Sequence, residues 1–164
     1  MSPGSGRWSV YGAVMDTLHI GGAGELLVQY QLLKLGIDSA RLTTDAGVDL
    51  VVYASATRAA TTIQVKTKQK PLPAGGKGRP ALGWTFPNSC PAQVLALARL
   101  DKDRVWLFTL DEARRLAQQH SPNDRRQIYW YASPDTAQHE GIPRREADMD
   151  EYLLTVRAPR LFPG

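Results

Sequence analysis

The stretch at residues 43–68, TTDAGVDLVVYASATRAATTIQVKTK, decides the fold. Its apolar runs at 49–54 and 61–68 predict two strands joined by small and polar residues. Side chains alternate between the faces of a strand, so Gln64 and Lys66 share one face and Val65 points to the other. If the strands pair as a hairpin, Asp49 lies beside them. The pattern predicts an acid, an amide and an amine on one face, a set that suits a hard cation and a polarised water.

Three motifs resemble the core of the PD-(D/E)XK nuclease superfamily in order and spacing. They are D-A-G-V-D-L-V-V at 45–52, I-Q-V-K at 63–66 and, upstream, the helical segment G-G-A-G-E-L-L-V-Q-Y-Q-L-L-K-L-G at 21–36. Within the superfamily the chain is similar to the Mrr-type restriction endonucleases, whose second motif often reads Q-x-K. The resemblance covers residues 20–68. It implies an α/β fold with an αβββαβ core, in which helices flank a mixed central sheet.

The resemblance also implies a function, metal-dependent hydrolysis of DNA phosphodiester bonds by an endonuclease of restriction or repair type. The implied catalytic residues are Glu25, Asp49, Gln64 and Lys66. The implied ligands of Mg²⁺, or of Mn²⁺ in its place, are Asp49, the side-chain oxygen of Gln64, the main-chain carbonyl of Val65 and, directly or through water, Glu25. In this scheme Lys66 orients the attacking water or stabilises the charged transition state.

Gln64 keeps other interpretations open, because an amide in place of the usual acid removes one negative charge and weakens metal binding. One alternative is a non-catalytic nucleic-acid- or protein-binding module on a degenerate nuclease fold. Another is a Holliday-junction resolvase, which differs in substrate shape more than in chemistry. Each motif residue also has an interpretation without a catalytic role. Glu25 would be a solvent-facing acid of a helix, Asp49 a turn residue, and Gln64 and Lys66 part of the solvent-exposed face of a strand.

Basic residues are concentrated in the middle third of the chain, whose total net charge is +4. Residues 50–100 hold seven basic and no acidic side chains, whereas acids outnumber bases on either side. Such a local field is typical of a protein that binds a phosphate backbone, although a solvated lysine-rich loop gives the same pattern. The predicted nucleic-acid contacts lie on and after the Q-x-K strand: Lys68, Lys70, Lys77 and Arg79.

Length and composition predict one domain over residues 1–164, with residues 1–11 flexible. The single cysteine, Cys90, excludes an intramolecular disulfide, and no apolar run approaches membrane-spanning length. We therefore expect a cytoplasmic protein whose partner is DNA and not a membrane, and a symmetric cut of a duplex favours a homodimer. The three histidines lack zinc-ligand spacing, and no Walker loop or nucleophile motif is present.

The rest of the chain is predicted to alternate helices and strands. Helix 16–35 would bury a stripe of Leu26, Tyr30, Leu33 and Ile37. Further predictions are strand 39–44, a breaker-rich loop at 70–83, strand 84–86, helix 91–100, strand 104–110, helix 111–120 and strand 127–132. A capping box of Asp148 and Glu151 would open a last helix. Most aromatic residues are expected in the core, with base stacking as the alternative for Trp84 and Phe86.

Overall fold

The computed structural model describes residues 15–44, 46–134 and 144–164. The segment 1–11, predicted to be flexible, lies outside the described residues, as does Asp45. No described helix is long and apolar enough to cross a membrane. The described elements are α1 (Thr17–Lys34), β1 (Asp38–Arg41), β2 (Leu50–Ala54), β3 (Ala59–Lys68), β4 (Leu72–Pro73), β5 (Pro80–Pro87), β6 (Val94–Arg99), β7 (Arg104–Thr109), α2 (Leu110–Leu116), β8 (Gln119–Ser121), β9 (Arg125–Tyr131) and α3 (Leu154–Leu161), with 3₁₀ helices at Ala74–Gly76, Leu100–Lys102 and Glu146–Tyr152.

The strands form two sheets. The first has the order β1-β2-β3-β6-β7, in which only the pair β3–β6 is parallel, and the second is antiparallel with the order β4-β5-β9-β8. Helices α1 and α3 pack on one face of the first sheet, and the second sheet covers the other face. This layered arrangement around a five-stranded mixed sheet confirms the predicted α/β fold class.

The predicted hairpin is confirmed as β2 and β3, which pair antiparallel from Leu50↔Ile63 to Ala54↔Ala59. The apolar residues of this hairpin face the helices, where Ile63 and Val65 join the core cluster that contains Val28 of α1. On the other side of the sheet, a second core cluster contains three tryptophans whose ring centroids lie 4.6–6.0 Å apart. These tryptophans are Trp84, Trp106 and Trp130.

The helix predicted at 91–100 is wrong, because residues 94–99 form strand β6. All six residues are buried between β3 and β7, with Val94, Ala96 and Ala98 facing the helices and Leu95 and Leu97 facing the second sheet. A strand that is buried on both faces is apolar throughout, so its pattern cannot be told from that of a buried helix. The parallel connection from β3 to β6 consequently runs through β4 and β5 of the second sheet and not through a helix.

Helix α1 has the predicted bounds, and the side chain of its N-cap, Asp16, accepts a hydrogen bond from the backbone of His19. Its predicted buried stripe is wrong, because Leu26, Tyr30 and Leu33 are 54–65% exposed. The buried residues are Gly24, Val28 and Leu32. Apolar residues occur all round this helix, so periodicity does not select its inner face. The inner face is set instead by the close approach of α1 to β3, because a Cβ on Gly24 would lie 1.8 Å from Oγ1 of Thr67.

Three further boundaries differ from the predictions. The loop at 70–83 contains β4 and the start of β5, and helix α2 ends at Leu116, before strand β8. The capping box of Asp148 and Glu151 is wrong, because the Asp148 carboxylate accepts from the backbone N–H of Arg145 at 2.9 Å. Its neighbours form a 3₁₀ helix whose residues 146, 149 and 152 are buried, which matches the three-residue period of that helix.

Gly24→Ala is expected to destabilise the protein by about 1–3 kcal/mol, because the new methyl group would overlap the Thr67 side chain. Gly22→Ala is the matched control. A Cβ at Gly22 would meet nothing within 4 Å, so this variant is expected to be more stable than the parent by about 0.5–1 kcal/mol. Urea unfolding of the three proteins measures both effects. Equal stabilities for the two variants would show that α1 does not approach β3 this closely.

Candidate active site

The candidate site lies where β2 and β3 diverge. Their ladder begins at Leu50↔Ile63, so β3 continues for five residues without β2 beside it. Asp49 closes this end. Its backbone N–H donates to the Ile63 carbonyl at 2.9 Å, and its Oδ2 accepts from the Val65 N–H at 2.6 Å. A carboxylate therefore takes the place of a backbone partner, and the Val65 carbonyl points to the same side of β3 as its N–H.

Gln64 is only 4% exposed, so the interpretation that it lies on a solvent-exposed strand face is wrong. Its Oε1 lies 3.3 Å from the Cys90 thiol, which donates to it. Its amide nitrogen lies near Gly47, a turn residue with a φ of +79°. The amide is thus held between the 46–49 turn and the segment before β6, beside the strand position of Asp49. Sequence reasoning missed Cys90, because only the packing of two distant segments brings it to Gln64.

Lys66 is half-buried and lies on the same face of β3 as Gln64. No ion-pair partner of Lys66 exists in the described part of the chain. It lines a groove of about 450 Å³ between the end of β3 and the first turns of α1. Two more lysines, Lys68 and Lys70, line this groove, and none of its lining residues is acidic. The groove therefore includes Val65, the backbone partner of Asp49, together with three positive charges.

Glu25 of α1 reaches the same end of the sheet but has a partner of its own. Its Oε2 accepts from Nε and Nη2 of Arg41, at 2.9 and 2.6 Å. Arg41 lies opposite Leu50, next to Asp49, and the N–H of the following residue, Leu42, donates to the Asp49 carbonyl at 2.9 Å. Arg41 was also missed from the sequence, where a basic residue in a short strand carries no signal of its own.

The chemistry of the donor atoms at the strand junction decides whether they fit the implied metal. In residues 15–44, 46–134 and 144–164, no three His, Cys, Asp or Glu side chains group closely enough to hold a metal ion. What the strand junction offers is the carboxylate of Asp49, the amide oxygen of Gln64 and the carbonyl of Val65. These are hard oxygen donors, and Mg²⁺ needs few of them because it keeps several waters. The set fits Mg²⁺ or Mn²⁺, but because it contains a single carboxylate it attracts the ion less strongly than a set with two acids.

The basic residues of the middle third separate into groups. Lys68 and Lys70 line the groove and also a second concavity, of about 470 Å³, against the second sheet. Lys77 and Arg79 lie between β4 and β5 and line neither. Arg99 is 4% exposed and pairs with Asp101 and Glu146, so it adds little to the surface field.

The alternative of base stacking is wrong for Trp84 and Phe86. Their exposures are 1% and 0%, and both belong to the core cluster between the two sheets. The expectation that they are core residues is confirmed.

Comparison with known proteins identifies a solved structure with a similar fold but no matching protein family. Neither the models of protein families nor the curated protein sequences match this chain. Among solved structures, the chain is similar to a bacterial homing endonuclease, I-Ssp6803I, with a TM-score of 0.56 and 14% sequence identity. The similarity covers 90% of this chain and 97% of the homing endonuclease. The chain therefore has an endonuclease-like fold over nearly its whole length.

Proposed function

We propose that this protein is a metal-dependent endonuclease that hydrolyses DNA phosphodiester bonds, of restriction or repair type, with a PD-(D/E)XK site in its Q-x-K form. One observation carries the proposal: the Asp49 carboxylate is bonded to the backbone of β3 between Gln64 and Lys66, at the point where β2 leaves the strand. The fold that the chain shares with a homing endonuclease supports it. The groove with three lysines beside this point suits a phosphate backbone.

In the proposed site, Asp49, the side-chain oxygen of Gln64 and the Val65 carbonyl hold Mg²⁺ or Mn²⁺. When bound, the ion supplies a more acidic water and a positive charge beside the scissile phosphate. Lys66 donates hydrogen bonds to the attacking water or to the phosphate and stabilises the charge of the transition state. Glu25 acts on the site through water, and its orientation is set by Arg41, which donates two hydrogen bonds to Oε2 of the carboxylate.

The Cys90 thiol contacts the side chain of Gln64 in the proposed site. It lies 3.3 Å from the amide oxygen, Oε1, and donates a hydrogen bond to it. A carbonyl oxygen has two lone pairs, and one remains for a metal ion after the thiol bond is made. Cys90 thus positions the ligand without removing it from the proposed site. Its state as a buried free thiol agrees with the cytoplasmic location that we propose.

The direct test incubates the purified protein with supercoiled, linear, single-stranded and branched DNA, with Mg²⁺, with Mn²⁺ and with excess EDTA. We expect nicked or linear products with either metal, none with EDTA, and recovery when Mg²⁺ is added back. Absence of products from every DNA, or undiminished cleavage in EDTA, would contradict the proposal. Cleavage confined to branched DNA would identify a junction resolvase instead. Cutting both strands of a duplex symmetrically favours a homodimer, which light scattering with bound duplex would detect.

A second candidate function is a non-catalytic binding module, and the observation that favours it is the low charge of the donor set. Calorimetric titration of Mn²⁺ into the parent, Gln64→Glu and Gln64→Ala separates the two. An added carboxylate beside Asp49 is expected to tighten binding by about tenfold, and loss of the amide oxygen to weaken it. Binding by Gln64→Glu alone would favour the non-catalytic module. Identical isotherms for all three proteins would remove Gln64 from the site.

A further inference from the structure

The second sheet buries one face and exposes the other. Its inner face supplies Leu82, Trp84 and Trp130 to the core. Because side chains alternate along each strand, the residues between them point outward. The register of the sheet sets Gly83 beside Tyr129 and Gln127 beside Gln119 on this outer face. The outer face is therefore a regular array of polar and aromatic side chains, and none of the nuclease motifs lies on it.

This outer face forms the floor of the 470 Å³ concavity, whose rim includes Lys68 and Lys70. The same two lysines line the groove beside the candidate active site, so the two depressions share one wall. Lys66 and Lys68 lie two residues apart in β3, which is about 7 Å at about 3.3 Å per residue, and Lys70 follows in the bend after the strand. A DNA strand advances about 3.4 Å per nucleotide, so Lys66 and Lys68 match phosphates about two nucleotides apart. A backbone that follows the lysines from Lys66 places its neighbouring bases over the second sheet.

The glutamines of the outer face have unused hydrogen-bonding groups. The side-chain amides of Gln119 and Gln127 have no hydrogen-bond partner within the described ranges. By contrast, the side-chain amide of the adjacent Gln118 accepts a hydrogen bond from the backbone N–H of Tyr129 and donates one to the carbonyl of the same residue. Gly83 gives Gln127 room, because a Cβ at that position would lie 2.9 Å from its Nε2. Two neighbouring amides, each with a donor and an acceptor, are thus presented on one face.

The chemistry of this face matches the edges of bases. An amide pairs in a bidentate manner with N6 and N7 of adenine in the major groove, which admits a two-stranded β-ribbon. Tyr129 and Tyr131 line the same concavity and offer flat surfaces for a thymine methyl group or an unstacked base. No acidic residue lines the concavity. The floor therefore suits bases, and the lysine rim suits the phosphates to which they are attached.

We propose that the outer face of the second sheet binds the bases of the DNA whose backbone lies on Lys66, Lys68 and Lys70. Gln119 and Gln127 select base pairs that contain adenine. This inference rests on the proposed function as far as DNA is the ligand. It adds a recognition surface that is separate from the residues of the cleavage site.

Selection from a randomised duplex library in EDTA tests this surface without any need for cleavage. The parent is expected to enrich adenine at adjacent positions. The variant Gln119→Ala/Gln127→Ala is expected to lose that preference by about tenfold or more, with unchanged affinity for unselected sequences. Gln69→Ala is the matched control, because this exposed glutamine lines the groove but not the concavity, and it should keep the preference. Lys68→Ala/Lys70→Ala should weaken binding to all sequences equally, with a salt slope lower by about 1.8.

The outcomes separate this inference from the proposed function. Selective binding by a parent that never cleaves would support the surface and refute the nuclease. Unchanged enrichment in the double glutamine variant, parent binding without any preference, or a parent that binds no DNA would overturn the surface. The cleavage assay with Mg²⁺ decides the nuclease separately. Repeating the selection with single strands identifies how the base is presented. A preference that persists indicates an unstacked base, and a preference that disappears indicates the groove of a duplex; both support the assignment.

Discussion

Lys66→Met is expected to lower the single-turnover rate of DNA cleavage by about 100-fold or more, while the thermal unfolding midpoint stays at the parent value or rises. Lys66 lies two residues after Gln64 on the same face of β3 and lines the groove with Lys68 and Lys70. It is the positive group that can stabilise the charge of the transition state at this position. Methionine keeps the length and the packing of the stem but cannot donate a hydrogen bond. No ion-pair partner among the described residues is stranded by the change, so stability should not fall.

Lys102→Met is the matched control, because Lys102 is exposed and lines neither concavity. It removes the same charge and is expected to change the cleavage rate by no more than a few-fold. Lys66→Arg adds a second comparison. It keeps the charge but replaces a compact ammonium by a planar fork, so a partial loss would show that geometry matters as well as charge. Cleavage by Lys66→Met at the parent rate would remove Lys66 from the site.

Glu146→Ala is expected to destabilise the protein by about 3–5 kcal/mol, which is a large fraction of the usual stability of a domain. Glu146 is 6% exposed and pairs with the buried Arg99, and it accepts from Nη1 of Arg104 at 2.6 Å. Removing the carboxylate leaves Arg99 buried with Asp101 as its remaining acidic partner. The side-chain hydrogen bond from Arg99 lowers the pKa of Asp101, which therefore stays ionised, while Arg104 keeps only the exposed Asp150 as its partner.

Asp150→Ala is the control for this network. Asp150 is exposed and touches Arg104 at 2.8 Å, so its loss should cost less than about 1 kcal/mol. Replacing both buried partners, as Arg99→Met/Glu146→Leu, should restore much of the stability, because no buried charge is then left alone. Urea unfolding of the four proteins measures all of this. A loss below 1 kcal/mol for Glu146→Ala would show that the buried pair is not formed in solution.

The ion-pair network of Arg99, Asp101 and Glu146 is also connected to the segment that forms the lysine-lined groove. The backbone N–H of Asp101 donates to the carbonyl of Gln69 at 2.9 Å, directly after β3. The segment that presents Lys68 and Lys70 is therefore tied to the buried ion pairs through Asp101. Conservative changes in this network are expected to act on DNA binding through the position of the lysines and not through their charge.

Local features of the sequence were sufficient to predict the hairpin and the bounds of α1. Alternation along 61–68 placed Gln64 and Lys66 on one face, and the short segment between the apolar runs allowed the hairpin that the structure contains. The helical pattern at 16–35 stops before Gly36, a residue that commonly follows the end of a helix. The position of Asp49 beside β3 followed from the same hairpin. These features depend on neighbours within about 25 residues, which the sequence shows directly.

Tertiary structure alone decided the rest. The run at 94–99 is a strand because β3 and β7 cover its two edges, and α1 buries Gly24 because Thr67 approaches it there. Glu25 meets Arg41, and Gln64 meets Cys90, through segments whose packing no local pattern encodes. The outer face with Gln119 and Gln127 likewise exists only because β5, β8 and β9 pair. Strand alternation gives the faces of each segment, but which segments become neighbours depends on the competition of all apolar surfaces for burial in one core.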